Sequence, residues 1–339
     1  MASLFGGLAR AALGRPKSTG ARLLERLGDA TQLEDRREAI SEFRDLCASE
    51  PIRLIDQGGM SVLVQLLRVE DTQITRDVLE TLSNLFDPEL PRELEKEDAA
   101  EIKAVHNASV FLTHDSNVSD LLGGAEDADL YVRFHAVQAL MKLLGFARRQ
   151  TQEAILNQPQ CVGRLMHIIE DERDIVRNEV LLLLARIGEG NAGLQNILAF
   201  QGAFEQLLGI VEVEGREEGE NSGSGSGGVI VHDCLRIIGS LLQGNASCCR
   251  FFRESGCLTR LSALLTLPLL KHTKGHATAV QLACELTSHL LSSAAVDAAD
   301  TARADAAVAA DADAARALLE AASKPHPDVI ATQVTRLCP

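Results

Sequence analysis

Tryptophan is absent from this 339-residue sequence, tyrosine occurs once, and aromatic residues reach only 3% of the chain. Large rings are therefore not needed as centrepieces of the core. Hydrophobic residues nonetheless make up 46%, supplied by Leu, Ala, Val and Ile. Aliphatic cores of this kind suit layers of helix on helix. Long apolar runs are also missing. The strongest, Val180 to Ala185, falls far short of the roughly 18 residues a membrane span requires. Positive charge is in deficit: 33 Lys and Arg stand against 48 Asp and Glu, a net charge of −15. That balance argues against a nucleic-acid surface, which needs clustered cations, and against a basic membrane-binding patch.

The eight cysteines form no CxxC pair and match no zinc spacing. Several fall at apolar helical positions, where a free thiol behaves as a small hydrophobe, so reduced core cysteines are expected. The sequons at Asn107, Asn117 and Asn245 are then accidental. Catalytic signatures are missing as well: there is no P-loop, GxSxG, HExxH or dinucleotide fingerprint. The glycines from Gly223 to Gly228 lack the Lys-Ser/Thr of a phosphate loop and read as a flexible connection. His272 and His276 share a helical face at i, i+4 spacing, but without a third ligand they make a weak metal signal. The chain is expected to be no enzyme and to hold no cofactor or metal.

What the sequence does contain is repetition. QGAFEQLLGIV at 201–211 echoes QGGMSVLVQLL at 57–67 and SGCLTRLSALL at 255–265. Each opens on a glycine suited to a tight turn or helix C-cap, followed by apolar residues at helical spacing. A second unit follows: ITRDVLETLSNL at 74–85, VRFHAVQALMKL at 132–143, VRNEVLLLLARI at 176–187 and IVHDCLRIIGSL at 230–241. Asp127 and Asp129 precede the second copy, and Asp171, Glu172 and Asp174 the third, as capping and first-turn residues do. Successive copies start 58, 44 and 54 residues apart. Armadillo and HEAT repeats use ~40–47 residues. The longer intervals contain insertions, DPELPRELEKEDAAE at 87–101 and EVEGREEGENSGSGSGG at 212–228. The pattern predicts an all-α, armadillo-like right-handed α-solenoid over residues 21–292, with loops at 87–103 and 212–228.

Residues 1–20 are Arg-bearing and acid-free, interrupted by Gly6, Gly7 and Gly14. They read as a flexible segment, with a transit peptide or a weak amphipathic membrane contact as the other readings. Residues 293–339 are rich in Ala and Asp and have little to bury, so a weakly packed helix or a disordered segment is expected there. No polar solenoid cap is evident at the C-terminus, which looks interrupted.

A series of blocks resembles one family. They are LEDRREAI at 33–40, VRFHAV at 132–137, VGRLMHII at 162–169 and DIVRNEVLLL at 174–183, then ILAFQGAFEQLL at 197–208, GGVIVHDCL at 227–235 and FFRES at 251–255. In this order, over residues 30–265, they resemble the armadillo head of the general vesicular transport factors. These are Golgi tethering golgins with a globular head, a coiled coil and an acidic tail. The resemblance implies docking of vesicles before fusion in ER-to-Golgi and intra-Golgi transport, from a cytoplasmic position peripheral on Golgi membranes and vesicles. It implies protein partners: a Rab-type GTPase, other Golgi tethers, the SNARE machinery as a further candidate, and a second copy as a homodimer. The sequence shows no heptad region and no acidic tail, so contacts that the family places there are not carried over. A generic armadillo adapter and a chaperone nucleotide-exchange cofactor are the alternatives.

Stacked repeats offer an extended surface lined by the last helix of each unit. In importin-alpha-type repeats that helix carries a Trp and, four residues later, an Asn. The matching pairs here are Glu80 and Asn84, Gln138 and Lys142, Leu182 and Arg186, and Arg236 and Ser240. The Trp is missing throughout and one Asn remains, so a basic import signal is not the expected ligand. Asn84, Gln138, Lys142, Arg186 and Arg236 are instead the candidate partner contacts, the basic ones forming a stripe suited to acidic segments.

Overall fold

A computed structural model of the chain describes residues 19–49, 58–87, 97–158, 160–171, 173–217 and 227–265, with Glu285, Leu286 and Leu290. The expected N-terminal segment lies outside the described residues but for its last two positions. The Ala-rich segment 293–339, His272, His276, Cys284 and Cys338 lie outside them too. Among the described residues every regular element is helical. The contacts divide the chain into two compact units, Met1–Cys161 and Val162–Pro339.

The first unit opens with α1 (Thr19–Asp29), α2 (Leu33–Ser49), α3 (Gly59–Leu66) and α4 (Thr72–Leu85). It continues with α5 (Glu97–Phe111), α6 (Ser116–Gly123), a 3-10 turn (Gly124–Glu126) and α7 (Leu130–Leu156). α4 packs against α2 on one side and α7 on the other. The copies 74–85 and 132–143 occupy α4 and the first half of α7, so the repeat period becomes a stack of like helices. Ile74, Val78, Leu79 and Leu82 recur at helical spacing and are fully buried. Each such side chain contributes about 1.5–3 kcal/mol through burial. The scarce aromatics are spent at the seams, as where Phe86 meets Phe111 edge-to-face at 5.4 Å.

Helix α7 is longer than any repeat helix because two run together. Ala147 leaves helical geometry (φ −129°, ψ 42°), which separates the copy at 132–143 from the following helix. Helix α4 is capped by Asp71, which accepts the Ile74 amide at 2.9 Å. Asp129 caps α7 through the Tyr131 and Val132 amides.

The second unit contains the larger part of α8 (Gln160–Ile168), followed by α9 (Asp174–Gly188), α10 (Ala192–Phe200) and α11 (Ala203–Glu217). Then come α12 (Gly227–Leu242), α13 (Ala246–Glu254) and α14 (Cys257–Leu265). α12 packs against α9 and α11, α10 against α13, and α11 against α14. Leu184 of α9 and Ile238 of α12 are at most 1% exposed, like Leu140 of α7, at one shared repeat position. Here Asp174 lies in the first turn of α9, as expected. α9 begins at Asp174 with no side-chain cap, and Asp171 instead accepts the Arg173 amide in the preceding turn.

Gly202 precedes α11 with φ +90°, and Gly256 precedes α14 with φ +77°. Only glycine enters this left-handed region freely, which is why each first unit opens on one. Asn191 and Asn245 cap α10 and α13 through the amides of Leu194 and Cys248.

Of the expected loops, residues 88–96 and 218–226 lie outside the described residues, and the flanking residues are helical. Helix α5 already begins at Glu97. At the other insertion α11 runs on to Glu217, and α12 starts at Gly227. Glu212 and Glu214 pair with arginines of other helices, which ties the last turns of α11 down.

Candidate functional site

The sequence-predicted contacts fall on the repeat helices but in unequal settings. Asn84 on α4 and Gln138 on α7 are half-buried. Lys142, also on α7, turns inward. Its Nζ lies 2.8 Å from Asp87 Oδ2, donates to Ser83 Oγ at 2.8 Å and to the Ser83 carbonyl at 3.2 Å, and its side chain is 24% exposed. Lys142 therefore ties α7 to the end of α4. Arg186 on α9 is exposed. Arg236 on α12 is 55% exposed and sits 3.8 Å from Asp233, one turn away. Of the basic candidates, Arg186 and Arg236 lie exposed on the adjacent helices α9 and α12.

The feature that sequence reasoning missed is a set of ion pairs between stacked helices. Arg37 on α2 reaches Asp71 at 2.5 Å, and Arg44 on the same helix reaches Asp77 at 2.6 Å. Arg37 and Arg44 are seven residues apart, two turns of α2, and so share one face of that helix. The Arg37 guanidinium holds the Asp71 carboxyl below the usual carboxylate range, with the Ile74 amide adding to the effect. Asp77 is fully buried, and its Oδ2 has no donor among the described residues. His135 of α7 is half-buried, and burial lowers its pKa, opposed by Glu80 and reinforced by Lys142, Arg76 and Arg44. In the second unit Arg177 pairs with Glu214 at 2.8 Å and Arg260 with Glu212 at 2.5 Å. The i, i+7 spacing of Arg37 and Arg44 is the one signal the sequence offers. It does not say which carboxylates lie opposite.

The sequon asparagines have structural work. Asn107 donates to the Leu85 carbonyl at 3.0 Å and Asn117 to the Phe111 carbonyl at 2.7 Å, while Asn245 caps α13; all three are buried. Cys47, Cys161, Cys234, Cys248, Cys249 and Cys257 are free and buried. Burial pushes the Cys234 thiol up to about 12 and Cys248 to about 11, which keeps both protonated and unreactive. Among the described residues no group of three or more His, Cys, Asp or Glu could hold a metal ion. Nor is any helix among them long and apolar enough to cross a membrane. The surface also carries an aromatic feature the sequence does not announce: Phe200, 68% exposed, stacks edge-to-face on Phe251 at 5.0 Å.

The Armadillo/beta-catenin-like repeat family matches residues 51–87. General vesicular transport factor p115 of Homo sapiens is 33% identical over 245 residues, covering 71% of this chain and 24% of that protein. Golgin candidate 6 of Arabidopsis thaliana is 34% identical over 218 residues, covering 63% of this chain and 23% of that protein. Intracellular protein transport protein uso1 of Schizosaccharomyces pombe is 26% identical over 251 residues, covering 74% and 22%. The chain thus spans about a quarter of the length of the curated relatives it matches. Among solved structures, Uso1-2 aligns with a TM-score of 0.69 at 19% identity, covering 93% of this chain and 50% of that one. A designed armadillo repeat protein aligns at 0.52 and 18%, covering 78% and 98%. These likenesses show an all-α, armadillo-like α-solenoid fold. By sequence and by fold, the repeat region of this chain is related to the general vesicular transport factor family.

Proposed function

We propose that this chain is the partner-binding armadillo region of a vesicle tether. It acts in docking before membrane fusion, in ER-to-Golgi and intra-Golgi transport. The observation that carries the proposal is the 33% identity to a general vesicular transport factor over 245 residues. The fold supports it, because stacked helices present side chains along successive repeats and suit recognition of extended protein surfaces. The chain works by binding rather than by catalysis. Its partners are a Rab-type GTPase, other Golgi tethers and a second copy of itself, with the SNARE machinery further along. Those partners hold it in the cytoplasm as a peripheral component of Golgi membranes and transport vesicles.

A clustering assay tests this reading. The purified full chain, alone and joined to a coiled coil, is mixed with labelled Golgi transport vesicles. The expected result is partner-dependent clustering by the joined form. Failure of both forms to bind or cluster vesicles that a full-length relative clusters would overturn the proposal.

A further inference from the structure

The second unit carries a hollow of about 210 Å³ between the turn after α8 and helix α11, lined also by Arg177 of α9. Small-molecule sites enclose roughly 300–1,000 Å³, so this space suits one side chain rather than a cofactor. Ile169, Ile210 and Val213 give it apolar walls. Its carboxylates are all engaged from within. Glu214 holds Arg177 Nη2 at 2.8 Å, and Asp174 shares that nitrogen at 3.1 Å. Glu170 accepts from Gln206 Nε2 at 3.1 Å. Asp171 accepts from the Arg173 backbone amide at 2.8 Å and has a further interaction besides. No charge at the rim is left over to select an ion.

What is left over is one donor and one acceptor on two of the lining side chains. Arg177 Nε is buried and meets no acceptor among the described residues. Gln206 Oε1 is buried and meets no donor among them. The Gln206 amide is fixed in orientation, because only its nitrogen can face the Glu170 carboxylate. Two buried polar atoms without partners cost stability that a matching occupant restores. A cation would satisfy Oε1 but confront the guanidinium. An anion would satisfy Nε but confront Oε1 and the carboxylates of the rim. A carboxamide satisfies both: its carbonyl accepts from Nε, and its NH2 donates to Oε1.

We propose that this hollow receives a glutamine side chain of a partner protein. The two methylenes of that side chain lie along Ile169, Ile210 and Val213, and its amide reaches the unmatched pair. Neither atom of the pair is open to solvent, so each turns slightly to meet the ligand. The terminal torsion of an amide side chain is soft enough to allow this. The proposal rests on the reading that the chain works by holding other proteins, and it names the chemistry of one such contact. The site is uncharged in its preference, unlike the exposed arginines on α9 and α12, which favour acidic segments.

NMR on the full chain provides the test. The probes are blocked pentapeptides, alanine except for a central glutamine, glutamate, lysine or norleucine, titrated into the millimolar range. The glutamine peptide should shift the methyl signals of Ile210 and Val213 and the side-chain amide signal of Gln206. It should bind roughly tenfold more tightly than the norleucine peptide, the scale of two net hydrogen bonds. Arg177→Lys keeps a cation opposite Glu214 but lacks Nε, and Gln206→Met keeps the length without the acceptor. Each should bring the glutamine peptide down towards norleucine. Equal binding of norleucine would make this an apolar slot, and preference for glutamate or lysine would make it a charge site. Either result overturns the proposal, as does no shift with glutamine. If a variant fails to fold, the ranking of the four peptides on the parent chain decides. The titration needs no vesicle and no GTPase, so its failure and that of the tethering assay are separable.

Discussion

Leu184 occupies the buried position that Leu140 and Ile238 hold in other repeats. Truncating it leaves a cavity among aliphatic neighbours that collapse only partly. Leu184→Ala should therefore cost about 2–5 kcal/mol, read by calorimetry or denaturant unfolding. An unchanged melting temperature would contradict the assigned register. Asp71 does two jobs, capping α4 and receiving Arg37. Asp71→Ala should cost about 0.5–2 kcal/mol from the cap. Its folded pKa is depressed, so its contribution is present above the unfolded value near about pH 4 and fades as pH falls through the folded one. The stability gap between parent and Asp71→Asn should accordingly close in acid, as parallel urea titrations would record. The two residues differ in legibility. Leu184 is evident from periodicity alone, because burial follows helical spacing. The roles of Asp71 and Lys142 depend on what lies across from them, and a linear sequence does not carry that. The repeat pattern puts Lys142 on its helix but does not show its partners, Asp87 and Ser83.

Among the helices, the turns are as readable as the faces. The glycine before each first unit marks a left-handed backbone that other residues enter at a cost of roughly 1–2 kcal/mol. Gly202→Ala should thus lower stability by about that amount, although its helical neighbours are untouched. A neutral or stabilising effect in thermal unfolding would show that the turn tolerates other geometry. The ends of the insertions are harder to read. Acidic runs such as 97–101 and 212–214 look like solvated loop, yet both lie in helices, the second held by cross-helix arginines in α11. The break at Ala147 leaves no signal, since nothing but an ordinary alanine stands where two helices of different repeats meet.

For the molecule as a whole, an aromatic-poor, aliphatic composition suits a core of helix layered on helix. The repeat period carries the fold class, and the ordered blocks carry the relationship to the vesicular transport factors. The binding face is far less legible. Repeat alignment names outward positions, but the ion pairs between helices decide which of them remain available. The proposed tethering role depends on recruitment by partners, so location in the cell tests it most directly. The decisive measurement is the fraction of fluorescently tagged full chain on Golgi membranes, with and without depletion of Rab-type GTPase activity. Recruitment by such partners predicts enrichment on the Golgi that disperses when the GTPase is depleted. A chain that stays diffuse under both conditions, while a full-length relative concentrates there, would contradict it.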